Sequence, residues 1–170
     1  LVIQNRMGIG DTVIFLPYIK AISEKFGTPV NLLVKKSSKA DQFLNQTDYI
    51  GKIIFLERNS QKAERHNGII GSLRLIKDLK KYKFDKVFIF NSSLRFNLIT
   101  RFSGIKTIYQ YSLFKKTNQH LIHPAVKLIK DNLNIEIDDR PKVKINKDLI
   151  EKSIIKFNID SNQLNILLAI

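Results

Sequence analysis

Leu1-Val2-Ile3-Gln4-Asn5-Arg6-Met7-Gly8-Ile9-Gly10-Asp11 opens the chain, and its reading decides the fold. A short apolar run leads into a loop with two glycines. Beyond it, over residues 11–26, Val13, Ile14, Leu16, Ile19, Ala21, Ile22 and Phe26 fall on one face of a helix that Gly27 stops. Pro17 is expected to kink that helix. Strand, glycine loop and helix in this order start a βαβ unit, and the rest of the chain continues the alternation.

Residues 30–35 read as the second strand and 53–56 as the third, with a short helix near 40–44 between them. The stretch between Glu57 and Gly68 is polar and nearly aperiodic, so it reads as a surface loop. Leu73, Ile76, Leu79 and Tyr82 mark a helix ending near Lys83. Lys86 then opens the clearest buried strand, where Val87-Phe88-Ile89-Phe90 is a run of the kind found in sheets covered on both faces. A helix over 93–103 closed by Gly104, a strand over 107–110, and helices over 124–132 and 148–157 complete the pattern. The chain is therefore expected to be α/β, with a parallel sheet and helices on both faces. One such domain fits 170 residues and two of ordinary size do not. Residues 1–160 are assigned to it, with a connecting segment from about 134. Residues 161–170 end in an apolar run and are expected to be the first strand of a further domain, in a chain that starts within a strand and is truncated at both ends.

Composition excludes some classes. Without cysteine there is neither a disulfide framework nor a Cys-based metal site, and a reducing cytoplasmic setting is compatible. No apolar run approaches the roughly 20 residues that span a bilayer. The net charge of +14 fits an anionic partner such as phosphate, a membrane surface or nucleic acid. The basic residues are mostly lysine, in a chain also rich in Ile and Asn, which is what an A+T-rich genome encodes; charge alone does not decide function.

Chemistry concentrates at two strand ends. Gly8 and Gly10 lie between a strand and a helix N-terminus, where the backbone has no Cβ in the way of a ligand and unpaired N–H groups present positive potential. The third glycine of a dinucleotide fingerprint is replaced by Val13, and no Gly-Lys-Ser/Thr of a P-loop is present. Asp11 has two readings: an N-cap, which its residue type alone favours, and a general base at the substrate-binding edge of a parallel sheet. Asn91-Ser92-Ser93-Leu94-Arg95 ends the buried strand on the same edge, where amide, hydroxyl and guanidinium groups suit a polyhydroxylated or anionic substrate. The plainer alternatives are a helix cap for Ser92 or Ser93 and a solvated helix position for Arg95. His66, His120 and His123 form no ligand pattern and read as loop residues.

These residues resemble a family. The strand with Met7-Gly8-Ile9-Gly10-Asp11, the helix with Leu16-Pro17, the run from Phe84 to Arg95 and Arg101-Phe102-Ser103-Gly104 are similar to glycosyltransferase family 9, the ADP-heptose:lipopolysaccharide heptosyltransferases. His120 and the helix after it also resemble a family segment. The sequence departs from the family at Asn5, where members usually carry a basic residue, and at Thr107-Ile108-Tyr109-Gln110-Tyr111.

The resemblance implies the N-terminal, acceptor-side half of a GT-B glycosyltransferase with Rossmann-like domains. It implies transfer of a heptose or related sugar from a nucleotide-sugar co-substrate, ADP-heptose, to a lipopolysaccharide inner-core acceptor. It further implies inversion, no metal and no other cofactor. Asp11 becomes the general base, and Gly8, Gly10, Asn91, Ser92, Ser93 and Arg95 contact the acceptor. The expected partners are the donor, bound mostly by the other half, and a lipid-linked anionic glycan. The expected setting is cytoplasmic, with peripheral contact at the inner membrane, and these 170 residues alone are expected to be inactive. The alternative from another class is a noncatalytic basic α/β module binding nucleic acid or another anionic partner.

Overall fold

A computed structural model describes residues 1–6, 8–58, 64–113, 121–160 and 162–163. Its elements are β1 (Val2–Ile3), α1 (Ile9–Phe26), β2 (Val30–Lys35), a 3-10 turn (Lys36–Ser38), α2 (Ala40–Phe43), β3 (Ile50–Leu56), α3 (Gly68–Lys80), β4 (Lys86–Ile89), α4 (Leu94–Phe102), β5 (Thr107–Gln110), α5 (Ile122–Leu133) and α6 (Lys147–Phe157). The five strands form one parallel sheet in the order β3-β2-β1-β4-β5. This is the α/β, Rossmann-like arrangement with helices on both faces.

Alternation along the strands builds two cores. Val2, Leu32, Val34, Phe88 and Phe90 face α1 and α5, where they meet Phe15, Tyr18, Ile19, Ile22 and Ile129. Ile3, Leu33, Val87 and Ile89 face the other way and pack on Leu75 and Leu79 of α3 and on Phe96 and Ile99 of α4. Every residue from Val87 to Phe90 is at most 2% exposed, so the unbroken apolar run reports a strand with no solvent side.

Several boundaries differ from the sequence expectation for identifiable reasons. β3 begins at Ile50 because it is an edge strand, where Gly51 and Lys52 are tolerated despite poor β-propensity; the Lys52 N–H donates to Asn31 Oδ1 at 2.8 Å. α1 starts at Ile9 and runs through Pro17 without interruption. α5 begins at Ile122, which puts Pro124 in a first turn that needs no N–H donor and makes His123 a helix residue rather than a loop residue. The connecting segment packs Ile135, Ile137 and Val143 against the α1 side of the core, while α6 buries none of its residues. The expected strand over 164–170 lies outside the described residues, as do Met7, His120 and residues 59–63 of the polar loop.

Gly71 shows how closely α3 approaches the loop that feeds it. A Cβ there would sit 2.1 Å from the His66 carbonyl carbon, on backbone that has nowhere to move. Gly71→Ala is therefore expected to lower stability by about 3 kcal/mol or more, read as a shift in the urea midpoint at unchanged m-value; a midpoint within error of the wild type would contradict this packing.

Candidate functional site

β1 is the central strand, and at its C-terminal end the chain connections diverge: β2 and β3 lie to one side, β4 and β5 to the other. A crevice outside the strand ends at such a switch point is where open parallel sheets bind ligands. The glycine loop and Asn91 meet here. Asn91 Nδ2 donates to Asn5 Oδ1 at 3.2 Å, linking the ends of β1 and β4 across 86 residues of chain. Gln110, at the end of β5, donates through Nε2 to the Asn91 carbonyl at 3.1 Å and to the Ser93 carbonyl at 3.0 Å, and its Oε1 accepts from Asn97 at 2.8 Å. Asn91 Oδ1 in turn accepts the Ser93 N–H at 2.9 Å. Amide side chains from three neighbouring strands thus form a connected row along the edge. The sequence reading singled out Asn91, Ser92 and Ser93 but gave no binding role to Asn5 or Gln110; the signal that finds them is their shared position at the carboxyl ends of parallel strands.

Asp11 is corrected from N-cap to third residue of α1, because the helix starts two residues earlier than its apolar pattern. Gly8 is the N-cap, and its N–H donates to Asp11 Oδ2 at 3.3 Å, the backward half of a capping box. The carboxylate remains half-buried at the helix's positive end. Neither glycine is demanded by conformation. Gly8 is extended, with φ −100° and ψ 161°, and a Cβ on Gly10 would meet nothing within 4 Å. What they supply is open approach to the first turn of α1.

Beneath the edge lies an aromatic floor. Phe15 stacks obliquely on Phe90 at 5.0 Å, and Tyr18 and Tyr111 flank Phe90 at 6.3 and 6.1 Å. The Tyr18 and Tyr111 hydroxyls and Gln4 Nε2 are buried without a hydrogen-bond partner among the described residues. Burial, with Asp139 nearby, pushes the Tyr18 hydroxyl up to about 12, and burial raises that of Tyr111 further against the opposing pull of Arg6. Both are neutral hydroxyls at physiological pH.

Ser92 is exposed and Ser93 is the N-cap of α4, without a side-chain cap bond. Arg95 turns away from the amide row. Its Nε donates to Ser72 Oγ at 2.9 Å and its Nη2 to the His66 carbonyl at 2.5 Å, so it fastens the loop entering α3. Burial and the nearby Arg58 lower its pKa. His66 is itself buried: Nδ1 accepts the Glu57 N–H at 3.0 Å, which leaves Nε2 as the donor to Asp78 Oδ2 at 3.3 Å. Among the described residues no three His, Cys, Asp or Glu side chains group as metal ligands, and no helix is long and apolar enough to cross a membrane.

Sheet order and edge define the class, a Rossmann-like α/β domain with a row of amide side chains at its switch-point edge. Among solved structures the chain is similar to the glycosyl transferase family 9 from Veillonella parvula DSM 2008, with a TM-score of 0.70 and 12% sequence identity over 99% of this chain and 54% of that one. That likeness establishes the fold, and the chain spans about half the length of that neighbour. No protein-family model and no curated protein matches the sequence.

The Asp78 cluster yields a pH prediction. Burial raises the Asp78 pKa, but hydrogen bonds from Arg65, His66 and Lys81 outweigh it and leave the carboxyl below its ordinary 3.8. A depressed carboxyl stabilises the fold above its unfolded value, and that contribution disappears as pH falls below about 3.8 through the folded value. Asp78→Asn should flatten this acid limb in urea titrations taken at stepped pH; a limb as steep as the wild type's would count against the cluster.

Proposed function

We propose that this chain is the acceptor-side half of a glycosyltransferase of family 9 with the GT-B architecture. In this reading it supports inverting, metal-independent transfer of a heptose or related sugar from a nucleotide-sugar, ADP-heptose, to a lipid-linked lipopolysaccharide inner-core acceptor at the cytoplasmic face of the inner membrane. The single observation that carries the reading is Asp11: a half-exposed carboxylate at the first turn of α1, on the switch-point edge of a domain whose fold matches a family 9 structure.

The chemistry follows from that placement. An acceptor hydroxyl in the crevice gives its proton to Asp11 while its oxygen forms a bond to the anomeric carbon. The bond from that carbon to the nucleoside diphosphate breaks, and the diphosphate leaves with the electron pair. Gly8 and Gly10 keep the approach open. Asn91, Ser92 and Ser93 present amide and hydroxyl groups to a polyol, with Asn5 holding the Asn91 amide and Gln110 the Asn91 main-chain carbonyl. Arg95 holds the loop entering α3 through the His66 carbonyl. Donor recognition falls to the other half of the enzyme.

In the full-length enzyme, Asp11→Asn is expected to reduce kcat by 10²–10⁴-fold at nearly unchanged donor affinity, the usual contribution of a general base. These 170 residues alone are expected to transfer no sugar. Retention of more than about a tenth of wild-type kcat by the Asp11→Asn enzyme would remove Asp11 from the mechanism.

A further inference from the structure

We propose that an ordered water is bound inside the domain by Gln4 Nε2 and the Tyr18 and Tyr111 hydroxyls, beneath the amide row. All three atoms are buried, and none has a hydrogen-bond partner among the described residues. They gather around one ring. The Phe90 N–H donates to the Ile3 carbonyl at 3.1 Å and the Gln4 N–H to the Leu33 carbonyl at 3.0 Å, so Gln4 continues the line of β1 beside Phe90. Alternation then turns its side chain to the face that Val2, Phe88 and Phe90 share. Tyr18 of α1 and Tyr111, just past β5, close on Phe90 with ring centroids 6.3 and 6.1 Å away. Gln4 and Tyr18 are no more than 1% exposed, so bulk solvent does not reach them.

Chemistry selects the occupant. A buried polar atom without a partner is costly, and internal water satisfies such atoms where protein groups do not. The Gln4 amide gains nothing by flipping: its Oε1 accepts the Arg6 N–H at 3.2 Å, which fixes the nitrogen as a donor. Each tyrosine hydroxyl can donate one hydrogen bond and accept another. The two hydroxyls are near enough that Tyr18 helps to raise the pKa of Tyr111. Asp139 acts on the Tyr18 hydroxyl and Arg6 on that of Tyr111, so opposite charges bracket the site and orient a dipole rather than hold a net charge. A water with its oxygen toward Gln4 Nε2 and Tyr111 accepts from both and donates to the Tyr18 oxygen. That makes three bonds, the common number for an internal water. A cation would face the amide donor, and an anion would face Asp139. The water site needs neither sugar donor nor acceptor and stands apart from the transferase reading.

Urea unfolding of the Tyr18→Phe and Tyr111→Phe variants tests this, because the sign of the effect separates a satisfied hydroxyl from an orphaned one. Removing a hydroxyl that binds water is expected to raise the unfolding equilibrium constant about fivefold in each variant, whereas removing one with no partner lowers it or leaves it unchanged. Tyr82→Phe, at an exposed ring, should have no effect. Water-oxygen magnetic relaxation dispersion, which counts long-lived internal waters, supplies a second readout: the double variant, Tyr18→Phe with Tyr111→Phe, is expected to hold one fewer than the wild type. Both substitutions keep the rings on Phe90, and far-UV circular dichroism with an unchanged m-value establishes that each variant is folded. If the double variant does not fold, the single variants carry both measurements. The proposal is overturned if the folded Phe variants are as stable as the wild type or more so, or if the count of long-lived waters does not fall. It is also overturned if added chloride or phosphate stabilises the wild type and not the Phe variants, since the occupant is then an ion.

Discussion

The arrangement at the switch-point edge depends on a strand of two residues. β1 pairs with β2 on one side and β4 on the other, and both Val2 and Ile3 are fully buried, one in each core. A strand so short has little hydrogen bonding of its own. It is held by its place between two longer neighbours and by apolar contact above and below, where each buried aliphatic side chain contributes roughly 1.5–3 kcal/mol. Because β1 is central, its carboxyl end points to where the connections part, and the residues that follow it cannot be covered by an adjacent crossover.

Several polar features follow from that geometry. Asn5, Asn91 and Gln110 end three neighbouring parallel strands, so the register of the sheet sets their backbones side by side and brings the Asn91 amide to Asn5 and the Gln110 amide to the Asn91 main-chain carbonyl. Each bond fixes an amide that would otherwise rotate, and the row holds the Ser93 turn from which α4 departs. The same register places Phe90 under the row, between Tyr18 and Tyr111. Polar rim and aromatic floor are thus consecutive layers of one sheet edge.

The sequence was informative wherever a local period carried the signal. Val87 to Phe90 announces a strand buried on both faces, and the apolar stripe after the glycine loop announces α1, because burial dictates both patterns. The start of α1 was less legible: Ile9 is 45% exposed and Gly10 is a poor helix former, so the first turn carries no apolar signature and is set by the capping bond from Gly8. Nor do the partners of Asn91 and Arg95 follow from spacing. Asn5 lies 86 residues from Asn91, and His66 lies 29 from Arg95; both contacts depend on strand order, which no local pattern encodes. An arginine at a strand end looks like an anion ligand until the loop beside it is seen to need a donor for its carbonyls.

The structure replaces the N-cap reading of Asp11 with a capping-box position, and that position is compatible with the proposed base role. As third residue of α1 it accepts the Gly8 N–H through Oδ2 alone, a bond that orients the carboxylate without enclosing it. A sugar hydroxyl becomes acidic only as its oxygen bonds to the anomeric carbon, so its base must already stand at the right place when that happens. In the proposed reaction the capping bond would supply this positioning by tying the carboxylate to the backbone at the start of α1. In the proposed reaction, helix architecture and proton transfer would draw on the same contact. The absence of a Cβ at Gly8 and Gly10 matters for the same reason: it keeps clear the approach to a carboxylate whose orientation the fold has already fixed.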